Sequence, residues 1–318
     1  MEKVAQSPIV TVICTCFNQA LYVQEALESV IQQTYPHIQL IVVDNASSDN
    51  SAHIIESFLR PHPHILFIRN KKNLGICQAF NQASEYATGK YLVDLSADDI
   101  LLPERIQLQV HAFENLNNEY GLLYSGIEEI DQNGNTLQYV PKPNQTLHSG
   151  HVFQFILKKY FIPSPSTMFR KKAFDCVGKY NENLAFEDFD FWIRCAHRYK
   201  FFYLPITSTK KRILSTSFSK QFYSTESDKM LVSTLKTYLW AREKLQNHDE
   251  HNAYNEGLSY FFRQAVFLGH FETALAYKAA FTASRLFNFK TMVCFGLLFL
   301  RFDLSFFYLL QKKFRSNL

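Results

Sequence analysis

Gly89-Lys90-Tyr91-Leu92-Val93-Asp94-Leu95-Ser96-Ala97-Asp98-Asp99-Ile100-Leu101-Leu102-Pro103 is the stretch on which the fold turns. Tyr91 to Leu95 reads as a short, largely apolar strand, and the pattern stops at Ser96-Ala97-Asp98-Asp99. Two adjacent carboxylates at the end of a buried strand are costly unless a cation or hydrogen-bond donors neutralise them. In an open α/β sheet, ligands sit at the carboxyl ends of the strands. A divalent metal clamped between Asp98 and an anionic ligand such as a diphosphate meets both conditions. A helix cap meets them too, with Asp99 capping a helix entered through Pro103. The stretch alone does not separate the two.

Upstream, Ile9 to Thr15 is a near-continuous apolar run rich in β-branched residues, as expected of a strand buried on both faces. Leu21 to Gln33 has a helical period, with Leu21, Ala26, Leu27, Val30 and Ile31 apolar. Leu40 to Val43 is a second buried strand, ending in the polar burst Asp44-Asn45-Ala46-Ser47-Ser48-Asp49-Asn50 before a helix over Ser51 to Leu59. Ile65 to Ile68 is a third strand, Asn73-Leu74-Gly75 a turn, and Ile76 to Tyr86 a helix stopped near Gly89. Strands and helices alternating with short connections predict a doubly wound, parallel α/β sheet.

Downstream, a helix is expected from Pro103 to Leu116 and a strand over Tyr120 to Glu129, with a hairpin turn at Asp131-Gln132-Asn133-Gly134. Gly150 to Lys159 reads as a helix, Ser164 to Phe169 as a strand and Lys172 to Val177 as a helix. Glu187-Asp188 runs into a helix bearing Trp192 and Arg194, and Phe201 to Pro205 is the last strand. Past Ser219 only helices are expected: Lys229 to Gln246, Tyr254 to Leu268, Glu272 to Leu286 and Lys290 to Lys313. The reading divides the chain into residues 1–219 and a helical part, 220–318.

At 318 residues the chain suits one large domain with an appendage, and 47% apolar content is ordinary for a protein with a sizeable core. A net charge of +4 gives no nucleic-acid footprint. The charge is uneven, because six of the basic residues and one acidic residue lie from Arg285 onward. The six cysteines and eleven histidines show no metal-ligand spacing. Cys14 and Cys16 are expected to pack in the core. The cysteine usage and the absence of a leader pattern in Met1 to Pro8 point to reduced thiols and a cytoplasmic setting.

In order, these pieces resemble glycosyltransferase family 2, inverting enzymes of the GT-A nucleotide-sugar fold, over roughly residues 8 to 210. The resemblance is carried by Val10-Thr11-Val12-Ile13-Cys14-Thr15-Cys16-Phe17-Asn18, Ala26-Leu27-Glu28-Ser29-Val30, Gln33-Thr34-Tyr35 and Ile41-Val42-Val43-Asp44-Asn45-Ala46-Ser47-Ser48-Asp49. It continues through Asn73-Leu74-Gly75, Gly89-Lys90-Tyr91, Ala97-Asp98-Asp99, Ser166-Thr167-Met168-Phe169-Arg170, Gly178-Lys179-Tyr180 and Glu187-Asp188-Phe189-Asp190-Phe191-Trp192. It implies a GT-A mixed sheet followed by an all-α extension.

It also implies roles. Thr15 and Asp44 would hold the nucleobase, usually uracil, with Asp44 accepting the imide N–H. Asn18, Asn73, Ser96 and Asp99 would belong to the donor site, Asp98 would bind Mg²⁺ or Mn²⁺, and Asp188 would be the catalytic base with Glu187 positioning it. An inverting transfer needs one such carboxylate to take the acceptor's proton. The chain departs from the pattern in three places. Asn45 often gives way to a second Asp, Ser96 replaces the first carboxylate of Asp-X-Asp, and Lys211-Arg212-Ile213-Leu214 lacks a late histidine. Lys210, Lys211 or Arg212 are the candidates to neutralise phosphate charge in its place.

Thr291 to Leu310 is apolar, but Arg301 and Asp303 cost about 2.5–3.5 kcal/mol each on the insertion scale, against about −0.3 to −0.6 for each Leu, Phe or Val. The terms nearly cancel, so a spanning helix is not expected. As one helix, the segment aligns Lys290, Arg301, Lys312 and Arg315 on a stripe suited to anionic lipid, or to packing on its neighbours or on a second copy of the chain.

The expected function is metal-assisted transfer from a nucleotide-sugar donor, taken as UDP-linked, to a glycan or lipid-linked saccharide. The family implies bacterial surface polysaccharide synthesis, at the inner face of the cytoplasmic membrane. Two competitors stand beside it: a non-catalytic nucleotide- or saccharide-binding protein, and a sugar nucleotidyltransferase. The second wants a Gly-rich, basic phosphate loop after the first strand, which Cys14 to Ala20 does not provide.

Overall fold

The computed structural model describes residues 7–142, 145, 147–214, 222–282, 289–301, 305 and 308. The chain forms two compact units. One comprises Met1–Val152, Phe161–Asn183 and Arg194–Leu214; the other comprises Phe153–Tyr160, Leu184–Ile193 and Ser215–Leu318.

The first unit is a nine-stranded mixed sheet among the described residues. Its first half follows β1 Val10–Cys16, α1 Val23–Ile31, β2 Ile38–Asp44, α2 Ser51–Leu59, β3 Leu66–Arg69, α3 Ile76–Ser84 and β4 Tyr91–Ser96. The order β3-β2-β1-β4 is parallel throughout, as expected of strands joined by helical crossovers. The second half is built from β5 Ile100–Leu101, α4 Arg105–Glu114, β6 Tyr120–Ile130, β7 Thr136–Val140, β8 Met168–Arg170, α6 Lys171–Cys176 and β9 Lys200–Arg212. Here the sheet becomes mixed. β8 is antiparallel to both β4 and β6, β9 runs parallel to β6, and β5 and β7 are antiparallel to their partners β9 and β6. Cys14 and Cys16 lie in the core with Val12, Val42, Val93, Leu27 and Phe113, and all six cysteines are free thiols.

Two expectations are corrected. Ser164–Ser166 is a 3₁₀ turn, and the strand after it is only Met168–Arg170. The last strand does not stop at Pro205 but runs to Arg212. Proline cannot donate to a ladder, so it sits in a bulge, where the register jumps from Leu204 opposite Ser125 to Thr207 opposite Gly126. Gly126 admits the bulge, since a Cβ there would meet the Ile206 and Val140 carbonyls at 3.1 and 3.0 Å. Arg170, last of the Ser-Thr-Met-Phe-Arg motif, is architectural. It is buried beside the rings of Tyr91 and Phe113, and its guanidinium donates to the carbonyls of Phe113, Leu116 and Tyr120.

The second unit holds α5 Phe153–Lys158, the start of α7 Asp188–Arg198, α8 Lys229–Arg242, α9 His248–Phe267, α10 Phe271–Ala280 and α11 Phe289–Leu300. Its core is rich in aromatic side chains. Tyr238, Tyr254 and Tyr277 are fully buried, and each hydroxyl donates to a backbone carbonyl, of Leu157, Ala280 and Leu231 respectively. Helix α11 ends at Leu300, and Arg301 takes φ 49°. The single helix expected from Lys290 to Lys313 is therefore broken at Arg301, while Lys312 and Arg315 lie outside the described residues. Among the described residues no helix is long and apolar enough to cross a membrane.

Candidate functional site

The parallel register brings three strand tips of the first unit side by side. Thr15 pairs with Val43 and with Ser96, and Cys16 with Asp44. Beyond these tips the apolar runs end, and two polar loops tie each other down. Asn18 holds φ 55°, a left-handed conformation asparagine tolerates, and its Oδ1 accepts from the Ser48 N–H at 2.8 Å and the Ser48 hydroxyl at 3.2 Å. In return the N–H groups of Asn18, Gln19 and Ala20 donate to Ser47 Oγ, Ser51 Oγ and Asp49 Oδ2 at 3.0, 2.9 and 3.0 Å. Asp49 also accepts from the N–H and hydroxyl of Ser51, which holds its carboxyl below the usual range against the opposing effect of burial.

Asp44 is 1% exposed. Its Oδ2 accepts weakly from the Ser47 N–H at 3.3 Å, while its Oδ1 is buried with no hydrogen-bond partner. A buried acceptor left without a donor costs about 1–3 kcal/mol, more when charged. The loop is thus built around one vacant acceptor.

Asn45 explains why a carboxylate is absent beside Asp44. Its Oδ1 accepts from Asn70 Nδ2 and the Leu74 N–H, both at 3.1 Å, while its Nδ2 donates to Asn73 Oδ1 at 3.0 Å and the Gly75 carbonyl at 3.3 Å. Only an amide can do both. Asn73 Oδ1 also takes the Gly75 N–H at 2.8 Å, so that oxygen holds the Asn73-Leu74-Gly75 turn.

At the tip of β4, exposed Ser96 donates its hydroxyl to Asp98 Oδ1 at 2.6 Å. Asp99 is buried and accepts the Arg212 N–H at 2.9 Å. Burial, and then the neighbouring Asp98 charge, push the Asp99 carboxyl well above the usual range against the pull of that N–H, Lys211 and Arg105. Arg212, one of the three cations expected near the phosphates, is engaged within the protein. It is 4% exposed, pairs with Glu25 at 2.6 Å, donates to the Asp98, Asp131 and Gln132 carbonyls, and lies over the Tyr22 ring. Its side chain staples the Asp98–Asp99 backbone to the sheet. Behind it Arg105, fully buried, donates to Thr209 Oγ1 at 2.8 Å and the Thr167 carbonyl at 2.9 Å. Burial pulls its guanidinium down to about 9, which leaves it charged at neutral pH. Nothing in the sequence pattern marked Arg105, which sits at the start of a helix where a surface position is the default.

No group of three or more His, Cys, Asp or Glu among the described residues is arranged to hold a metal. The donor set at β4 is one carboxylate, Asp98, with the Ser96 hydroxyl against it and a second carboxyl, Asp99, that burial and the Asp98 charge drive toward its neutral form. This fits Mg²⁺ or Mn²⁺ held jointly with phosphate oxygens and water, the usual arrangement for such ions beside nucleotides, and not a closed protein cage.

In the second unit, Asp188 opens α7. Its Oδ1 accepts the Phe189 N–H at 2.6 Å and its Oδ2 accepts the Tyr160 hydroxyl at 2.5 Å. Glu187 precedes it, and its carbonyl accepts the Phe191 N–H. Trp192 is buried one turn on, with its ring 5.0 Å from that of Tyr160. Arg194 donates to the Val177 and Lys179 carbonyls. Tyr160 lies far from any motif in sequence, in Lys158-Lys159-Tyr160-Phe161, and no periodicity pointed to it.

Residues 11–178 match the family described as Glycosyl transferase family 2. An uncharacterised glycosyltransferase of Methanocaldococcus jannaschii is 34% identical over 247 residues, which are 74% of this chain and 81% of the relative. The chain spans 31% and 42% of two longer glycosyltransferases, of Rickettsia felis and Rickettsia conorii. Chondroitin synthase of Escherichia coli is 28% identical over 130 residues, 41% of this chain and 19% of that protein. Among solved structures, S. aureus TarS 1–349 in complex with UDP-GlcNAc superposes with a TM-score of 0.61 at 13% identity, covering 86% of this chain and 88% of that one. The mannosyltransferase PcManGT of Pyrobaculum calidifontis, in complex with GDP-Man and Mn²⁺, gives 0.60 at 17% identity, covering 96% and 84%. At those identities the structures establish the GT-A fold, and the family match and the archaeal relative establish the rest: this chain belongs to glycosyltransferase family 2 and is a glycosyltransferase.

Proposed function

We propose that the chain transfers a sugar from a uridine-diphosphate sugar to a hydroxyl of a glycan or lipid-linked saccharide, with inversion at the anomeric carbon. The observation that carries the donor is the unpartnered Oδ1 of Asp44. Uracil offers its imide N–H as a single donor, and one acceptor is what the loop leaves open. Guanine would present two adjacent N–H donors to the carboxylate, while Oδ2 is already turned to the Ser47 N–H. Thr15 and Ser96 flank this tip in register, within reach of a ribose.

Asp98 with Ser96 would hold Mg²⁺ or Mn²⁺ together with the donor diphosphate, and the ion when bound supplies positive charge to the departing nucleoside diphosphate. Asp188 is the general base. Its carboxylate takes the proton of the acceptor hydroxyl as that oxygen bonds to the anomeric carbon. The bond from that carbon to the diphosphate oxygen breaks and the diphosphate leaves with the electron pair. Attack from the face opposite the leaving group inverts the centre.

A glycan acceptor in bacterial surface polysaccharide synthesis is supported by the likeness to chondroitin synthase. Contact with the inner membrane surface is supported by α11, which exposes Phe289, Met292, Val293, Phe299 and Leu300 beside Lys290. Sedimentation with vesicles of anionic, but not zwitterionic, lipid checks that contact.

The main test is a thermal-shift series with UDP and GDP, with and without manganese, followed by UDP release from UDP-sugars by wild type and Asp188→Ala. UDP should protect more than GDP, and Asp188→Ala should bind UDP normally yet release none from UDP-sugars. Equal protection by GDP would overturn the donor assignment, and equal turnover by Asp188→Ala would overturn the base.

A further inference from the structure

Resting on the reading of Asp188 as the base, we infer that Tyr160 is a positioning residue for it, fixing the carboxylate through its hydroxyl and favouring the ionised form. Tyr160 belongs to no motif of the family resemblance, and the matched region of the chain ends at residue 178, short of Asp188 itself.

The geometry has three parts. First, the carboxylate is held at both ends, by the Phe189 N–H on Oδ1 at 2.6 Å and the Tyr160 hydroxyl on Oδ2 at 2.5 Å. Each carboxylate oxygen has two acceptor sites, so neither of these contacts by itself closes its oxygen to an incoming proton. Second, Tyr160 itself cannot swing freely. Its ring lies 5.0 Å from that of Trp192 and 6.2 Å from that of Phe189, on the same helix as Asp188. Its backbone follows α5, and the Tyr238 hydroxyl donates to the Leu157 carbonyl at 2.7 Å. Gly257 lets α9 approach that same carbonyl, since a Cβ there would stand 1.9 Å from it. Lys158 pairs with Glu256 at 3.2 Å. Helices α8 and α9 thus set where the phenol stands.

Third, the charges are right. Burial, and then the Asp188 and Glu187 carboxylates, raise the phenol well above its usual range. It therefore stays a protonated donor wherever the enzyme works. A hydrogen bond to the charged form of a carboxyl favours that form. Among the described residues, the ionisable groups that act on the phenol are Asp188 and Glu187, and the elements around its segment carry Tyr238 of α8 and the Lys158–Glu256 pair of α5 and α9.

Tyr160→Phe removes the hydroxyl and keeps the ring against Trp192. Removing the donor should lower kcat on the order of ten-fold while the donor KM stays put. The base must be ionised to act, so loss of a bond to its ionised form should move the acid limb of the kcat–pH profile upward by about one unit. Asp188→Ala should be inactive, and Tyr160→Phe added to it should cost nothing further, because the two act as a unit. A folded Tyr160→Phe enzyme with the wild-type kcat and acid limb, beside an inactive Asp188→Ala, overturns the positioning role and leaves the base standing. Turnover surviving in Asp188→Ala removes the base, and the proposal with it. Trp192→Phe tests the ring support without touching the hydroxyl. A smaller loss of kcat than in Tyr160→Phe, with a limb moved the same way, is the expected result, and an unmoved limb counts against the ring's part.

Discussion

The tips of β2 and β4 lie one strand apart and answer to opposite electrostatic demands. At β2 nearly every polar group is satisfied by its neighbours: Asn18, Ser47, Ser48, Asp49 and Ser51 bond one another, Asn45 fills all its bonding directions, and a single oxygen, Asp44 Oδ1, is left over. At β4 the charge is not settled within the protein. Asp98 and Asp99 stand together, Asp99 is driven toward its neutral form, and the nearby Arg212 spends its guanidinium on Glu25 and on backbone carbonyls. On the proposed reading, the first tip would select a donor by one hydrogen bond and the second would be completed by a cation shared with the donor's phosphates. Specificity and catalysis would then be divided between rigid and unsatisfied polar groups.

The comparison breaks first at Asp98. Asp98→Asn keeps the size of the side chain and an acceptor for Ser96 but removes the charge. It should lower kcat/KM by on the order of 10²–10³, the usual cost of deleting one electrostatic element at a developing anion. Manganese should no longer add to the thermal protection by UDP, while protection by UDP alone should be nearly intact. If manganese still adds its full increment, the β4 tip does not hold the ion and the contrast between the tips is wrong.

Asp44 sharpens it from the other side. Asp44→Asn should weaken UDP binding by about ten- to a hundred-fold, the value of one hydrogen bond to a charged acceptor. The effect should appear in the donor KM with kcat little changed, because the base contact is remote from the reacting bond. The unliganded protein should be no less stable than wild type and up to about 1 kcal/mol more so, since a neutral amide replaces the carboxyl whose buried oxygen has no donor. Calorimetric titration with UDP and thermal melting of the unliganded variant check both halves. A variant destabilised without ligand would show that Oδ1 was satisfied after all.

How far this was legible beforehand follows from the range of the forces involved. The parallel strands announced themselves because both faces are buried, so apolar and β-branched residues dominate Val10–Cys16 and run unbroken over Leu40 to Val43 within Ile38–Asp44. Ile100–Leu101 was invisible, since two residues carry no period and their pairing with Thr209 and Lys210 is set more than a hundred residues away. Asp44 and Asp98 could be named from motif order, but the reason for Asn45 could not. Its four partners, Asn70, Asn73, Leu74 and Gly75, lie 25 to 30 residues further along the chain, and only the fold shows that a donor is needed where a carboxylate is common. Arg212 stood beside Lys210 and Lys211 as a candidate for phosphate charge because sequence shows a charge but not its neighbours. Tyr160 escaped for the same reason, 28 residues from the carboxylate it touches.

The finest test lies in that amide. Asn45→Asp restores the residue that often stands there, and a reading from motifs alone would expect it to be harmless or to help. The contacts say otherwise. An aspartate can still accept from Asn70 Nδ2 and the Leu74 N–H, but where Nδ2 donated, a negative oxygen would face Asn73 Oδ1 and the Gly75 carbonyl, 3.0 and 3.3 Å away. Acceptor against acceptor in a site 5% exposed should cost about 1–3 kcal/mol, read as a lower melting temperature. UDP affinity should fall less than in Asp44→Asn, because the turn at Asn73-Leu74-Gly75 shifts while the vacant acceptor remains. Asn73→Ser in the Asn45→Asp background should return part of the stability, since a hydroxyl can donate to the new carboxylate where Oδ1 only accepted. If Asn45→Asp melts no lower than wild type, the amide is not holding the turn, and the β2 tip is less complete than its hydrogen bonds make it.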